Sequence, residues 1–184
     1  MKSFKDKSQE SYNQKADNLE EITVEPHSHI LDVACGNATF LKILSNKYDI
    51  KGYGIDISEK MIENAKKRCP DMTFEISSCE HTPFDDQMFD IITVCAAYHH
   101  FPDPKAFAKE ASRIIKPKGQ LYIADIYPSF IIRAILNPFV PLSKAGDVKF
   151  YAPKEIQRNF EEHGFEMVKF NNQDHIQILG FRRL

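Results

Sequence analysis

The segment His29-Ile-Leu-Asp-Val-Ala-Cys-Gly-Asn-Ala-Thr-Phe40 decides how the rest of this chain is organised. Its first part, Ile30 to Val33, is a short apolar run with β-branched residues, which is typical of a buried strand. Small residues follow from Ala34 to Ala38, and from Thr39 onward the apolar residues recur at helical spacing. A strand, a turn of small residues and a helix begin the binding site of many open α/β sheets, because the backbone can approach a ligand there. The segment therefore predicts a ligand site beyond the carboxyl end of the first strand.

The remaining sequence alternates between strand and helix patterns. Strands are expected at 29–35, 53–57, 72–77, 89–95 and 120–126, with helices at 38–47, from Ser58 to Pro70 and from Pro104 to about Ile115, and a turn at 116–119. Such alternation favours a mainly parallel sheet with right-handed crossovers. A last helix, from Ala152 to Gly164, precedes two strands at 165–170 and 175–181, and the polar residues 171–174 between them predict a hairpin. The expected fold is therefore a three-layer, Rossmann-like α/β sheet of seven strands, mostly parallel, with one antiparallel strand near the edge.

Two segments fall outside this alternation. Residues 1–28 are polar and charged, and we interpret them as a helical flap over the ligand or as a surface helix. Residues 128–152 contain three prolines and many large apolar residues, and a long irregular stretch in a compact domain is usually functional. We interpret this stretch as a lid insertion, with a helix that merely covers the sheet edge as the alternative. The 184 residues are expected to form a single domain, 1–184.

Composition narrows the class of protein. A net charge of −2 gives no electrostatic reason to expect nucleic acid as a partner. The four cysteines form no CxxC pair and no zinc-ligand spacing, so reduced thiols in a cytoplasmic protein and no metal site are expected. The chain begins without a signal-peptide pattern and has no run of about 18 apolar residues, so no transmembrane helix is expected.

The opening turn and the end of the second strand indicate the kind of ligand. A dinucleotide pyrophosphate favours the spacing GxGxxG, whereas Ala34, Gly36 and Thr39 stand at those positions here. Asp32, at the end of the first strand, suits an ammonium group. Asp56 ends the second strand, where an acidic residue commonly accepts hydrogen bonds from ribose hydroxyls. Together these residues favour a ligand with an amine and a cis-diol over one with a pyrophosphate.

Six motifs in this order resemble those of class I S-adenosylmethionine-dependent methyltransferases. They lie in Leu31–Ala38, Gly54–Met61, Cys79–Asp90, Tyr98–Asp103, Ile115–Gln120 and Asp147–Phe165. The branch that they resemble acts on small molecules and includes the ubiquinone and menaquinone biosynthesis methyltransferases. The resemblance extends from about residue 29 to 184. It implies an enzyme that uses S-adenosylmethionine as its cofactor and methylates a small-molecule acceptor.

The resemblance also implies roles for individual residues. Cofactor-binding positions are Asp32, Ala34 and Gly36 for the methionine part, Asp56 for the ribose, Ile57 on the adenine, Ser78 and Cys79 at the adenine edge, and Cys95 near the methyl group. Met61, in the second motif, is also expected to bind the cofactor. Two residues depart from the family pattern. Ala38 stands in place of a glycine and would add a methyl group near the cofactor. Ser78 stands where the family often has an aspartate for the adenine amino group.

The acceptor and the catalytic residues are expected after the fourth and fifth strands. The apolar content of 128–152, with Arg133, Lys144 and Lys149 nearby, indicates an apolar or aromatic acceptor that could carry an anionic group; membrane contact is not favoured. Methyl transfer needs mainly alignment, and a general base only if the acceptor arrives protonated. His99 and His100 are the candidates, with His100 preferred, although either could simply pack or cap the next helix.

Two other functions stay open at this point. An NAD(P)-dependent oxidoreductase is disfavoured by the missing glycines of the opening turn. A non-catalytic cofactor-binding or regulatory domain of the same fold is kept open by Ala38 and Ser78.

Overall fold

A computed structural model describes residues 24–138, 148–173 and 175–184 of the chain. The strands are β1 (Ser28–Val33), β2 (Ile50–Asp56), β3 (Thr73–Ile76), β4 (Phe89–Cys95), β5 (Ile115–Ile126), β6 (Phe165–Gln173) and β7 (Ile176–Arg183). The helices are α1 (Thr39–Lys47), α2 (Glu59–Arg68), α3 (Pro104–Ile114), α4 (Phe130–Leu136) and α5 (Pro153–Glu161), with a 3₁₀ turn at Tyr98–His100.

The strands form a seven-stranded sheet in the order β3-β2-β1-β4-β5-β7-β6. All pairs from β3 to β5 are parallel, and β7 is antiparallel to both β5 and β6. A tight hairpin can join only antiparallel strands, which accounts for the direction of β7 relative to β6. The predicted fold class, a mostly parallel sheet with one antiparallel strand near the edge, is confirmed. Parallel pairing also brings the carboxyl ends of β1, β2, β3 and β4 to one edge of the sheet.

Helices cover both faces of the sheet, which explains the continuous apolar runs of the central strands. Successive side chains of a strand point to opposite faces, so neighbours such as Ile30 and Leu31 belong to different apolar clusters. One cluster includes Phe107 of α3 and Phe160 of α5. The other includes Phe40 of α1 and residues of α2. The result is the three-layer arrangement that the alternating pattern predicts.

Two connections differ from the sequence-based expectation. The expected turn at 116–119 lies within β5, where Phe89 pairs with Ile115 and Ile91 with Gln120, so the residues between them bulge out of the ladder. Lys118 takes a left-handed φ of 64° in this bulge. The expected loop at 171–174 is wrong for 171–173, because β6 continues to Gln173. Polar side chains are tolerated there, since β6 is an edge strand whose backbone pairs with β7.

The segments interpreted as flap and lid are only partly described. Of the flap, residues 1–23 lie outside the described residues, and Ser28 already begins β1. Of residues 128–152, positions 139–147 lie outside them, Lys144 included. Helix α4 exposes several large apolar side chains: Phe130, Ile131, Ile132, Ile135 and Leu136. Lid, flap and the single domain over 1–184 therefore stay predictions. Within the described ranges, no helix has the length and apolar character needed to cross a bilayer.

Candidate active site

The turn after β1 has an unusual backbone conformation. Ala34, Gly36 and Ala38 have φ values of 56°, 53° and 60°, so every second residue is left-handed. No heavy atom lies within 4 Å of the place where a Cβ would stand on Gly36. The turn therefore leaves open space beside its backbone, as a site for a closely bound ligand requires.

Asp56, the last residue of β2, is held in place by two backbone groups. The Gly36 amide donates to its Oδ2 and the Ser58 amide donates to its Oδ1, each at 2.9 Å. The turn after β1 thus fixes the orientation of a carboxylate from the neighbouring strand. A carboxylate has about four lone-pair sites, so each oxygen can still accept from a ligand hydroxyl.

A cavity of about 630 Å³ opens at the carboxyl ends of these strands. Its lining comes from the segments that follow β1, β2, β3 and β4, and it comprises Ala34, Gly36, Ile55, Asp56, Ile57, Ser58, Met61, Ser77, Ser78, Cys79, Glu80, Cys95, Ala96, Ala97, His100, Phe101 and Pro102. The volume lies in the range of small-molecule and cofactor sites, which are typically largely apolar with few polar groups.

The wall that follows β2 presents exposed apolar side chains to the cavity. Ile57 is 79% exposed and Met61 is 41% exposed. The hydroxyl of Ser58 caps α2 by accepting from the Met61 amide, which fixes the first turn of that helix. Large apolar side chains held in solvent at a cavity suit the face of a flat ring.

The wall that follows β3 carries the polar groups of Ser77 to Glu80. Burial, and after it the negative charge of Glu80, raise the pKa of the Cys79 thiol. That thiol is therefore protonated and packs as a small apolar group. Glu80 also lines the cavity. It does not appear among the sequence-derived site residues, although it directly follows Cys79 in a recognised motif.

The wall that follows β4 contains the candidate base. Cys95 and His100 line the cavity, as do Phe101 and Pro102, which sequence reasoning missed. The backbone NH of His100 donates to the Ala97 carbonyl at 2.9 Å within the 3₁₀ turn. That turn directs the second histidine, and not the first, toward the cavity.

The structure places two of the named residues outside the cavity lining. Asp32 is buried and accepts a 2.8 Å hydrogen bond from the Thr93 hydroxyl. Burial raises the pKa of Asp32 to about 7; the Thr93 hydrogen bond opposes this shift and the charge of Asp56 adds to it. His99 is also buried, with its Nδ1 2.6 Å from Asp125 Oδ1. The other named residues all line the cavity.

Ala38 has a different position from the one that the motif comparison suggests. It is fully buried and belongs to the apolar cluster that includes Phe40 and Leu41. It is not part of the cavity lining. Its methyl group therefore fills the protein core.

Comparison with known proteins assigns the family. The model of the methyltransferase domain family matches residues 31–123, which include the turn, Asp56 and the wall after β4. The chain belongs to the class I S-adenosylmethionine-dependent methyltransferases. This enzyme therefore uses S-adenosylmethionine as its methyl donor, and an oxidoreductase is not favoured.

Two relatives support this assignment, and a solved structure shares the fold. The methyltransferase is 30% identical to the demethylmenaquinone methyltransferase of Thermotoga maritima over 161 residues, covering 75% of this chain and 70% of that protein. It is 30% identical over 179 residues to the ubiquinone/menaquinone biosynthesis C-methyltransferase UbiE of Rickettsia felis, covering 79% and 71%. Its fold is similar to a chain from the complex of a Haloferax volcanii methyltransferase with the activator Trm112, with a TM-score of 0.82, 19% identity and coverage of 96% and 90%.

Proposed function

We propose that this methyltransferase acts on a small apolar or aromatic acceptor that carries a hydroxyl group, of the hydroquinone type. The observation that carries the proposal is the position of His100 in the cavity wall, beside Cys95 and Ala97. The quinone-related names of the relatives support the acceptor class.

The cavity residues fit S-adenosylmethionine, part by part. We assign Asp56 to the ribose hydroxyls, because both of its oxygens are oriented by backbone amides and keep lone pairs. Ile57 and Met61 pack against the adenine ring, with Ser78 and Cys79 at its edge. When bound, S-adenosylmethionine supplies a methyl group that its sulfonium has already activated.

The open turn after β1 receives the methionine part of the donor. Ala34 and Gly36 line the cavity there, and Gly36 has free space where a side chain would stand. Asp32 lies behind this wall, so we assign it an effect on the ammonium group through its charge or through water. Cys95, at the end of β4, faces the region between donor and acceptor.

His100 takes the proton from the acceptor hydroxyl in this proposal. Removing that proton raises the electron density of an aromatic acceptor and prepares its oxygen or ring carbon to attack the methyl group. Histidine suits this role because its side chain titrates near neutral pH. The ring of His99 lies 4.0 Å from the His100 ring between centroids, and Asp125 holds His99, so His99 is a positioning residue here.

The apolar character of the acceptor is supported by helix α4. This helix follows β5 directly, so it begins at the same sheet edge as the cavity. It exposes large apolar side chains, among them Phe130 at 73% and Ile131 at 68%. An aromatic or prenylated molecule would remove such surface from water, at about 25 cal/mol per Å² of apolar area.

A methyl-transfer assay with three probes tests the acceptor class. The purified protein is incubated anaerobically with methyl-labelled S-adenosylmethionine and a prenylated naphthohydroquinone, its dimethyl ether, or glycine. We expect the labelled methyl group to appear in the hydroquinone, with release of S-adenosylhomocysteine. With the dimethyl ether or with glycine, we expect neither a labelled product nor S-adenosylhomocysteine. Methylation of the ether at an equal rate contradicts the need for a hydroxyl, and methylation of glycine alone contradicts the acceptor class.

Replacement of His100 separates catalysis from cofactor binding. His100→Asn should lower kcat by about 10²- to 10⁴-fold, the range of general-base catalysis, while S-adenosylhomocysteine affinity changes by less than about two-fold. His163→Asn is the matched control, because Nδ1 of His163 bonds to the Asn159 carbonyl of α5, outside the cavity. An unchanged kcat in His100→Asn rules out this residue as the base.

We also infer a cytoplasmic location and no nucleic-acid partner. None of the four cysteines forms a disulfide and all four are buried, as is usual in reducing compartments. The net charge of −2 gives no electrostatic attraction to a polyanion. Protease protection of the protein in intact cells, with lysed cells as control, tests the location.

A further inference from the structure

Glu80 presents an unusual carboxylate at the cavity wall after β3. Its side chain lines the cavity, yet its Oε1 is buried, and no donor for that oxygen exists among the described residues. A buried carboxylate oxygen without a donor is costly, because it has lost its hydration without replacement. Such an oxygen indicates that a ligand supplies the missing N–H or O–H group.

The Glu80 carboxylate lies close to its neighbour Cys79. After burial, the charge of Glu80 is the largest of the effects that raise the pKa of the Cys79 thiol. Because both residues line the cavity, the carboxylate and the protonated thiol belong to the same wall.

The other acidic side chain of the cavity wall and a neighbouring hydroxyl are already engaged. Both oxygens of Asp56 accept backbone amides. The Ser77 hydroxyl lies within donating distance of two carbonyls, Ser78 O at 3.0 Å and His81 O at 2.8 Å. Glu80 is thus the acceptor on this side that still requires a donor.

The ends of β2 and β3 lie side by side, and this determines where the polar groups of the cavity wall stand relative to one another. The Ser77 amide donates to the Asp56 carbonyl at 3.1 Å, so the wall after β3 lies directly beside Asp56. Ile57 and Met61 offer an apolar surface on the same side of the cavity. A flat base whose ribose is held by Asp56 would therefore direct its far edge toward the segment from Ser78 to Glu80.

We propose that Glu80 Oε1 accepts a hydrogen bond from the exocyclic amino group of the adenine and selects adenine over an oxygen-bearing purine. A carboxylate attracts an amino N–H, whereas it repels the carbonyl oxygen that hypoxanthine has at the same place. Glu80 thereby provides the acidic contact that Ser78 does not. The inference rests on the cofactor placement under Proposed function, and not on the identity of the acceptor.

Calorimetric binding of two thioethers tests this role without any acceptor. S-Adenosylhomocysteine carries the amino group, and S-inosylhomocysteine carries a carbonyl instead. We expect the wild type to prefer the adenosyl compound by at least about ten-fold, as for a charge-assisted hydrogen bond. Glu80→Gln should weaken adenosyl binding about ten-fold and bind the inosyl compound more tightly than wild type, because its amide can donate to the carbonyl.

One control variant outside the cavity and one comparison variant at the adenine edge keep the outcome decisive. Glu75→Gln makes the same change at an exposed position of β3, outside the cavity lining, and should leave both affinities unchanged. Ser78→Ala should keep the preference for the adenosyl compound. The proposal is overturned if Glu80→Gln retains the full wild-type preference, or if Ser78→Ala removes it.

Failure of the underlying cofactor placement would look different. If Asp56 does not bind the ribose, Asp56→Ala keeps wild-type affinity for S-adenosylhomocysteine, which overturns the placement and the role of Glu80 with it. If only the role of Glu80 is wrong, Asp56→Ala loses affinity while Glu80→Gln behaves like wild type.

Discussion

His99 Nδ1 lies 2.6 Å from Asp125 Oδ1, and both side chains are almost completely buried. Because the carboxylate accepts, Nδ1 carries the hydrogen in this pair. The contact ties the segment after β4 to the end of β5. Since the His99 ring lies 4.0 Å from that of His100 between centroids, it also restricts the histidine that lines the cavity.

Removal of the Asp125 carboxylate should destabilise the protein. Asp125→Ala leaves the buried His99 N–H without an acceptor, so we expect a loss of about 2–4 kcal/mol in the free energy of unfolding. Asp125→Asn keeps an oxygen acceptor of the same shape and should lose less. Urea unfolding at neutral pH measures both values. A change below about 0.5 kcal/mol in Asp125→Ala would show that the pair contributes little.

Asp56→Ala should weaken S-adenosylhomocysteine binding by about 1–3 kcal/mol, the scale of a lost charge-assisted hydrogen bond. The carboxylate is oriented by the amides of Gly36 and Ser58, so its removal also loosens the wall of the cavity. Titration calorimetry measures the affinity. Asp71→Ala, an exposed residue of the loop before β3, is the control and should bind like wild type. Equal affinity in the two variants would refute the ribose assignment.

The buried carboxyl of Asp32 should make stability depend on pH. Burial raises its pKa from 3.8 to about 7 in the folded protein, so between these values the native state holds a proton that the unfolded chain releases. This contribution to stability is present below pH 4 and disappears as the pH rises through 7, with a size of at most about 4 kcal/mol. Asp32→Asn should remove this part of the pH profile, as measured by urea unfolding between pH 5 and 8.

Ionisation of Asp32 should also couple to the cofactor. If its charge acts on the ammonium group, affinity for S-adenosylhomocysteine increases from pH 6 to pH 8 in the wild type, and this increase is absent in Asp32→Asn. Parallel profiles in the two proteins would show that Asp32 has only a structural role.

Ala38→Gly should leave S-adenosylhomocysteine affinity within about two-fold of the wild type. The Ala38 methyl is buried in the core and lies outside the cavity lining. Loss of this methyl group lowers the free energy of unfolding by about 0.8 kcal/mol, because less apolar surface is buried. Relief of the left-handed φ raises it by about 1–2 kcal/mol. Calorimetry and urea unfolding check both expectations. An affinity gain above five-fold would show that the methyl does obstruct the cofactor.

Most of the fold was predictable because the central strands are buried on both faces. The run from Phe89 to Cys95 matches β4 residue for residue, and Pro104 begins α3 as expected. The errors lie at Lys116–Gly119 and at 171–173, where turn-forming residues occupy strand positions. Local signals failed there because backbone pairing with a neighbouring strand decides whether such residues leave the sheet.

The candidate site was predictable where a residue ends a strand, and less so elsewhere. Asp56, Ile57 and Cys95 line the cavity because parallel strands end at one edge of the sheet. Asp125 was missed, because its role depends on His99, which is 26 positions away in the chain. Glu80 was missed since an acidic residue in a loop has no local signal that distinguishes a buried carboxylate from a solvated one.

The sequence by itself determined the strand–turn–helix segment, the mostly parallel sheet and the methyltransferase family, because these depend on periodicity and on short motifs. Tertiary structure alone decided which side chains face the cavity. It placed His100 in the wall and His99 behind it, although the two are neighbours, because the 3₁₀ turn points consecutive side chains in different directions. It also buried Asp32 and Ala38 behind the turn, since a residue's surroundings come from strands and helices that are distant in the chain.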